Sequence, residues 1–85
     1  IATISTEPLD GTRVIDVRGL VVAPGFVDLH AHGMDLKSAQ LQAQDGVTTA
    51  LETELGTLAV GPWYAAREGQ SPIHYGVAVG HRQAR

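Results

Sequence analysis

Cysteine is absent from the 85 residues, which excludes disulfide bonds and thiolate metal ligands. This absence fits a reducing compartment, so we expect a cytoplasmic protein. Lysine and arginine number only six and form no basic stripe, which argues against nucleic-acid binding. No apolar run approaches the ~20 residues of a membrane-spanning helix, so no membrane contact is expected. With 44% hydrophobic residues and a formal charge of −3, the composition predicts a small globular domain or part of a larger one.

The most informative segment is the stretch from Pro24 to Gly33, PGFVDLHAHG, in which an apolar–polar alternation ends in two histidines. Side chains on a β-strand alternate between its two faces, so Asp28, His30 and His32 are expected on one face. Two imidazoles on the same face at a strand end can bind one divalent cation. The spacing alone is equally compatible with two histidines hydrogen-bonded to their neighbours. We therefore interpret this segment as half of a candidate metal site.

The order of strand and helix signals predicts an α/β fold. Residues 1–23 carry short strand signals at 14–17 and 20–22, separated by turn residues, and form the first predicted unit. Residues 24–85 form the second predicted unit. Its elements are a strand over 26–32, a helix over 36–44 with Asp35 as N-cap and Gly46 after its end, a strand over 47–54, a short helix over 63–68 and a strand over 73–79. This β-α-β-α-β alternation favours parallel pairing with right-handed crossovers.

Three segments together resemble the amidohydrolase superfamily, over nearly the whole chain. GLVVAPGFVDLHAHG resembles the first barrel strand and the small sandwich strands before it, and DGVTTALETELG resembles the second barrel strand. WYAAREGQSPIHYGVAVGHRQAR is similar to the segment through strand three in enzymes related to N-acyl-D-amino-acid deacylases. The resemblance implies that residues 1–23 form a β-sandwich-like unit and that residues 24–85 form the first three strands and two helices of a (β/α)8 barrel. Such a barrel carries one or two divalent metals, usually zinc, and hydrolyses amide or related C–N bonds.

The resemblance also implies metal-site residues. The HxH pair of the superfamily falls on His30 and His32, and Asp28 would support the strand rather than bind metal. Where strand two of the deacylase relatives can end in a bridging cysteine, this chain has Glu54-Leu55-Gly56. Either Glu52 or Glu54 supplies a carboxylate instead, or strand two supplies no ligand. Glu54 is the stronger candidate, because it lies nearer the carboxyl end of its strand, where barrel active sites are found.

The remaining candidate residues have plainer interpretations. His74 is predicted on strand three and His81 just past its end, and structural or solvent-exposed roles are favoured for both over a catalytic role. Trp63 and Tyr64 are expected to pack the second helix against the sheet. Glu52 and Glu54 lie two positions apart, so their charges repel unless a cation or proton lies between them; a solvated strand end is the simpler alternative.

The chain is too short for a complete barrel, which needs about 250 residues. The expected function is therefore that of a fragment of a zinc-dependent amidohydrolase acting on amides such as N-acyl amino acids, with no activity when isolated. Only a full-length parent would bind the small-molecule amide. The alternative is a non-catalytic, self-associating protein derived from such a gene. In either case, open edges and uncovered faces of a three-stranded sheet predict a homo-oligomer.

Overall fold

A computed structural model describes all 85 residues. It contains a three-stranded parallel sheet, in the order β1-β2-β3, and two helices. The elements along the chain are β1 (Phe26–Asp28), α1 (Leu36–Gln44), β2 (Val47–Thr57), α2 (Val60–Ala65) and β3 (His74–Val79). Each strand is joined to the next through a helix, as the alternating sequence signals predict. The open sheet matches part of a β/α barrel, which confirms the α/β fold class.

The amino-terminal segment does not form the predicted strands. Residues 1–25 contain no helix or strand, and Val14 and Val21 are 78% and 93% exposed. Local contacts dominate there: Arg18 pairs with Asp16 at 2.6 Å, and a turn joins the Leu20 N–H to the Val17 carbonyl. The strand signals at 14–17 and 20–22 are therefore wrong for this structure, because a β-strand is stable only when another strand takes its backbone hydrogen bonds. The division of the chain at residue 23 stays a prediction.

Helix α1 has the predicted bounds, which follow from its capping residues. Asp35 is the N-cap, and its carboxylate accepts a hydrogen bond from the Ser38 N–H at 2.8 Å. This contact satisfies one of the backbone donors that a helix start leaves unpaired. Beyond the end of the helix, Gly46 adopts φ +86°, the left-handed conformation that glycine tolerates best. The helix therefore returns the chain directly into β2.

The bounds of the three strands and of helix α2 differ from the sequence prediction. β1 ends at Asp28 rather than at residue 32, because the Asp28 carboxylate accepts the His30 N–H at 2.9 Å and turns the chain. β2 continues to Thr57, three residues beyond its predicted end. Helix α2 begins at Val60, within the predicted loop, and ends at Ala65. β3 begins at His74, one residue later than predicted.

The buried core is small and consists of short side chains. Only seven of the 85 residues are buried, and the apolar ones are Ala31, Ala39, Ala50 and Ile73. Alanines on both the helix and the sheet allow α1 to approach β2 closely. Large apolar side chains on β1 and beyond, such as Phe26 and Leu29, remain more than half exposed. Neither helix has the length and apolar character needed to traverse a lipid bilayer.

Candidate metal centre

The candidate site lies where β1 ends, beside the second half of β2. The residues after β1 remain attached to β2 although they leave the strand: the Ala31 N–H donates to the Leu51 carbonyl at 2.9 Å, and the Thr53 hydroxyl donates to the Leu29 carbonyl at 2.6 Å. These two contacts place the histidine segment alongside β2. His30 and His32 therefore contact β2 side chains from an irregular segment after β1, and not from a continuation of the strand.

Three side chains converge at this point. The Nε2 atoms of His30 and His32 lie 3.1 Å apart, and Oε2 of Glu54 lies 3.0 Å from each of them. The three side chains are 66%, 46% and 56% exposed, respectively, so the group opens to solvent. Three ligand atoms that face one another at nearly equal distances leave space for one shared cation.

The donor set fits a divalent metal such as zinc. Two imidazoles and one carboxylate are a ligand combination of catalytic zinc sites, which leave the fourth position to water or substrate. Zinc–ligand bonds of about 2.0–2.1 Å in a tetrahedral site separate ligand atoms by about 3.3 Å. The observed separations of 3.0–3.1 Å are close to that value. The negative charge of Glu54 would offset part of the charge of the ion.

Glu52 lies on the opposite side of the His32 ring from this group. Its Oε2 is 2.7 Å from Nδ1 of His32, while Nε2 of the same ring faces Glu54. The hydrogen bond with Glu52 is the main cause that raises the pKa of His32 above its ordinary 6.5, and the charges of Glu52 and Glu54 add to it against desolvation. A protonated His32 must therefore lose its proton before it binds a cation.

Glu52 keeps a lowered pKa although it is buried. Burial alone raises the pKa of a carboxyl group. Here hydrogen bonds from the Leu55 backbone N–H, the His32 ring and the Glu54 backbone N–H outweigh burial, and the net shift is below the ordinary 4.5. The carboxylate is thus ionised at neutral pH and fully supplied with donors.

The other sequence candidates lie away from this group. Asp28 forms the turn that positions His30, in keeping with the supporting role implied for it. His74 is at the amino-terminal end of β3, and His81 lies in the turn that follows the strand; neither belongs to the converging group. Trp63 and Tyr64 contact the Tyr75 ring on β3, with centroids 5.7 and 5.8 Å apart, so they pack α2 on the sheet.

Two contacts near the site are not indicated by the sequence. One is the Glu52–His32 pair, because the sequence treats Glu52 only as a rival ligand to Glu54. The other is the contact of Arg67 with Met34, in which Nε of Arg67 donates to the Met34 carbonyl at 2.8 Å. The guanidinium of Arg67 also stacks 4.0 Å from the centre of the Trp63 ring. Arg67 thereby attaches the loop after the histidines to α2. The only sequence signal for the first contact is the two-residue spacing of the glutamates.

Comparison with known proteins gives one family and one curated relative. Residues 13–76 match the model of the Amidohydrolase family. In an alignment of 64 positions that covers 61% of this chain, the sequence is 38% identical to an allantoinase from Enterococcus faecalis. The matched part is 14% of the length of that relative. No solved structure matches the chain.

Proposed function

Because the chain belongs to the amidohydrolase family, we propose that it contributes the first metal-binding strands of a hydrolase that cleaves C–N bonds of amides. The observation that carries this proposal is the convergence of His30, His32 and Glu54. These residues would hold one divalent cation, and we propose zinc, because two imidazoles and a carboxylate form one of the ligand sets of catalytic zinc. When bound, such a cation supplies polarisation of a carbonyl oxygen and activation of water.

The residues of this chain have distinct tasks in the proposed site. His30 and His32 present Nε2 as neutral ligands, which keeps the ligand set from repelling the cation. Glu54 contributes the negative charge, and its exposure leaves room for a substrate on the open side. The chain shows no further acidic side chain in the group that would move a proton to the leaving amine. We therefore expect the side chain that transfers this proton to come from a part of the parent protein outside this chain.

The substrate class is proposed at two levels. Family membership supports the proposal that an amide C–N bond is cleaved, and N-acyl amino acids are the class implied by the resemblance of residues 63–85 to deacylase relatives. The 38% identity with the allantoinase favours allantoin as a second substrate to be tried. The cytoplasmic location expected from the lack of cysteine stays a prediction, to be checked by cell fractionation.

Zinc titration by calorimetry tests the metal part of the proposal. We expect one zinc ion per chain, a large loss of affinity in His30→Ala and in Glu54→Gln, and unchanged binding in His74→Ala. His74 is a matched control because it is an exposed histidine outside the converging group. Equal affinity in the wild type and His30→Ala would refute the assignment.

The reaction class is tested with the product of the complete reading frame that encodes this chain. The assays measure release of free amine from N-acyl amino acids and formation of a new carboxylate from allantoin, a cyclic amide whose ring opening releases no free amine. N-acetyl amino acids and allantoin are supplied separately with zinc present. We expect turnover of one of them, lost in His30→Ala and retained in His74→Ala. Zinc binding without turnover of any amide would contradict the proposed reaction while leaving the metal site intact.

A further inference from the structure

Glu52 is the one charged side chain of the chain that is buried, with 8% of the residue exposed. Burial of a carboxylate is costly unless its oxygens accept hydrogen bonds. Both oxygens of Glu52 are used. Oε1 accepts from the backbone N–H groups of Glu54 and Leu55, at 3.1 and 2.9 Å, and Oε2 contacts Nδ1 of His32 at 2.7 Å.

These contacts join the two separate parts of the candidate site. The Oε1 contacts hold the backbone that carries Glu54, at an irregular stretch of β2, and the Oε2 contact holds the ring of His32. A single side chain on β2 thereby sets the position of one ligand from each segment. The family resemblance assigned Glu52, at most, as an alternative ligand, whereas the structure uses its oxygens away from the converging atoms.

We propose that Glu52 is a positioning residue that holds His32 in its Nδ1-protonated tautomer and folds the end of β2 so that Glu54 reaches the same point. The proposal rests on the proposed function only for the identity of the ion. With the proton on Nδ1, donated to the Glu52 carboxylate, Nε2 of His32 keeps its lone pair for a cation. Carboxylates that orient ligating histidines in this way contribute to metal affinity although they do not touch the metal.

The structure also argues against a ligand role for Glu52. A residue two positions away on the same strand shares a face in a regular sheet, so Glu52 and Glu54 would be expected side by side. Here the pairing of β2 with β3 is irregular between Glu52 and Thr57, where the Glu54 and Leu55 N–H groups donate to Oε1. Glu52 then faces the far edge of the His32 ring, and Glu54 faces the near edge.

The first test measures the tautomer of His32 in the metal-free wild-type protein. Long-range proton–nitrogen NMR spectra at a pH of about 9, well above the ordinary histidine pKa, distinguish the two neutral forms. We expect the proton on Nδ1. Finding it on Nε2 would overturn the proposal, and this measurement requires no variant to fold.

The second test compares Glu52→Gln with Glu68→Gln, a control that removes one negative charge from an exposed position outside the site. The glutamine amide at position 52 still provides an oxygen for the backbone N–H groups, but its nitrogen donates to Nδ1 and favours the Nε2-protonated form of His32. We expect zinc to bind Glu52→Gln about 10- to 100-fold more weakly, with unchanged binding by Glu68→Gln. The His32 spectrum should show the exchanged tautomer in Glu52→Gln alone.

The outcomes separate this inference from the proposed function. Equal zinc affinity and an unchanged His32 tautomer in Glu52→Gln would refute the role of Glu52 while the metal site remained valid. Absence of zinc binding by the wild type would refute the metal site. Even then, a His32 that carries its proton on Nδ1 in the wild type and on Nε2 in Glu52→Gln would support the positioning role of Glu52. A weaker affinity with the wild-type tautomer would contradict the proposed cause.

Discussion

Replacing Gly56 by alanine is expected to damage the junction between β2 and β3. Gly56 lies two residues after Glu54 and adopts φ +65°. A Cβ atom at this position would lie 2.6 Å from the Ala78 carbonyl oxygen and 2.7 Å from the Gly80 nitrogen. Both neighbours are backbone atoms, so no side-chain rotation can relieve the contact. Part of β3 would have to move away from β2.

Two contributions add to the expected loss of stability. An alanine in the left-handed conformation costs about 1–2 kcal/mol. Displacement of packed backbone adds about 1–3 kcal/mol, in the range measured for overpacked sites. Gly69 separates the two contributions, because it has a similar φ of +69° but nothing within 4 Å of the added Cβ. Gly69→Ala should therefore show only the conformational part.

Urea unfolding followed by circular dichroism measures both variants. We expect Gly56→Ala to lose about 2–5 kcal/mol of unfolding free energy and Gly69→Ala about 1–2 kcal/mol. Gly61→Ala, at a position in α2 with free space and no positive φ, should be neutral or slightly stabilising. Zinc affinity should fall in Gly56→Ala, because the shifted strand end carries Glu54. Equal destabilisation by Gly56→Ala and Gly69→Ala would show that the backbone contact is unimportant.

Three further predictions follow from the described contacts. The hydrogen bond from the Ser38 backbone N–H is the main cause that lowers the pKa of Asp35 below its ordinary 3.8, so the capping contribution to stability is fully present above 3.8 and is lost as the pH falls through the lower folded value. Thermal unfolding across this pH range should show the loss of stability in the wild type. A loss of equal size in Asp35→Asn would contradict this prediction. The exposed side chains of Phe26 and Leu29 should cause self-association, most simply as a dimer. Light scattering should show a smaller mass for Leu29→Lys than for the wild type, and a folded wild-type monomer would exclude self-association. The isolated chain should release no amine from N-acyl amino acids even with zinc, and zinc-dependent turnover abolished by His30→Ala would disprove that expectation.

Local signals in the sequence were sufficient for helix α1. Asp35 and Gly46 act through their own backbone neighbourhood, so their effect is readable from the residue types alone. The parallel pairing of the strands was also predictable from local signals, since helices between strands favour parallel connections. The short strands predicted before residue 24 failed because Val14 and Val21 lack partner strands, and pairing is not encoded within a single segment.

The candidate site was predictable in its residues but not in its geometry. Strand periodicity predicted that His30 and His32 lie together on one face of a strand. In the structure they lie together for a different reason, because β1 ends at Asp28 and the turn after it brings the two imidazoles together. Position near the strand end favoured Glu54 over Glu52, and the structure brings Glu54 to the histidines. The contact between Glu52 and His32 joins residues 20 positions apart, so only the folded chain shows it.

The contact between His32 and Glu52 also closes a loop of 20 residues that contains all of α1. A cation held by His30, His32 and Glu54 would therefore act as a reversible cross-link across β1 and β2, in the way that a disulfide restricts an unfolded chain. The ordering of α1 would then depend on the concentration of free metal. Metal scarcity would therefore lower the stability of this loop and leave it more open to proteolysis, apart from its effect on the chemistry at the open side of the site.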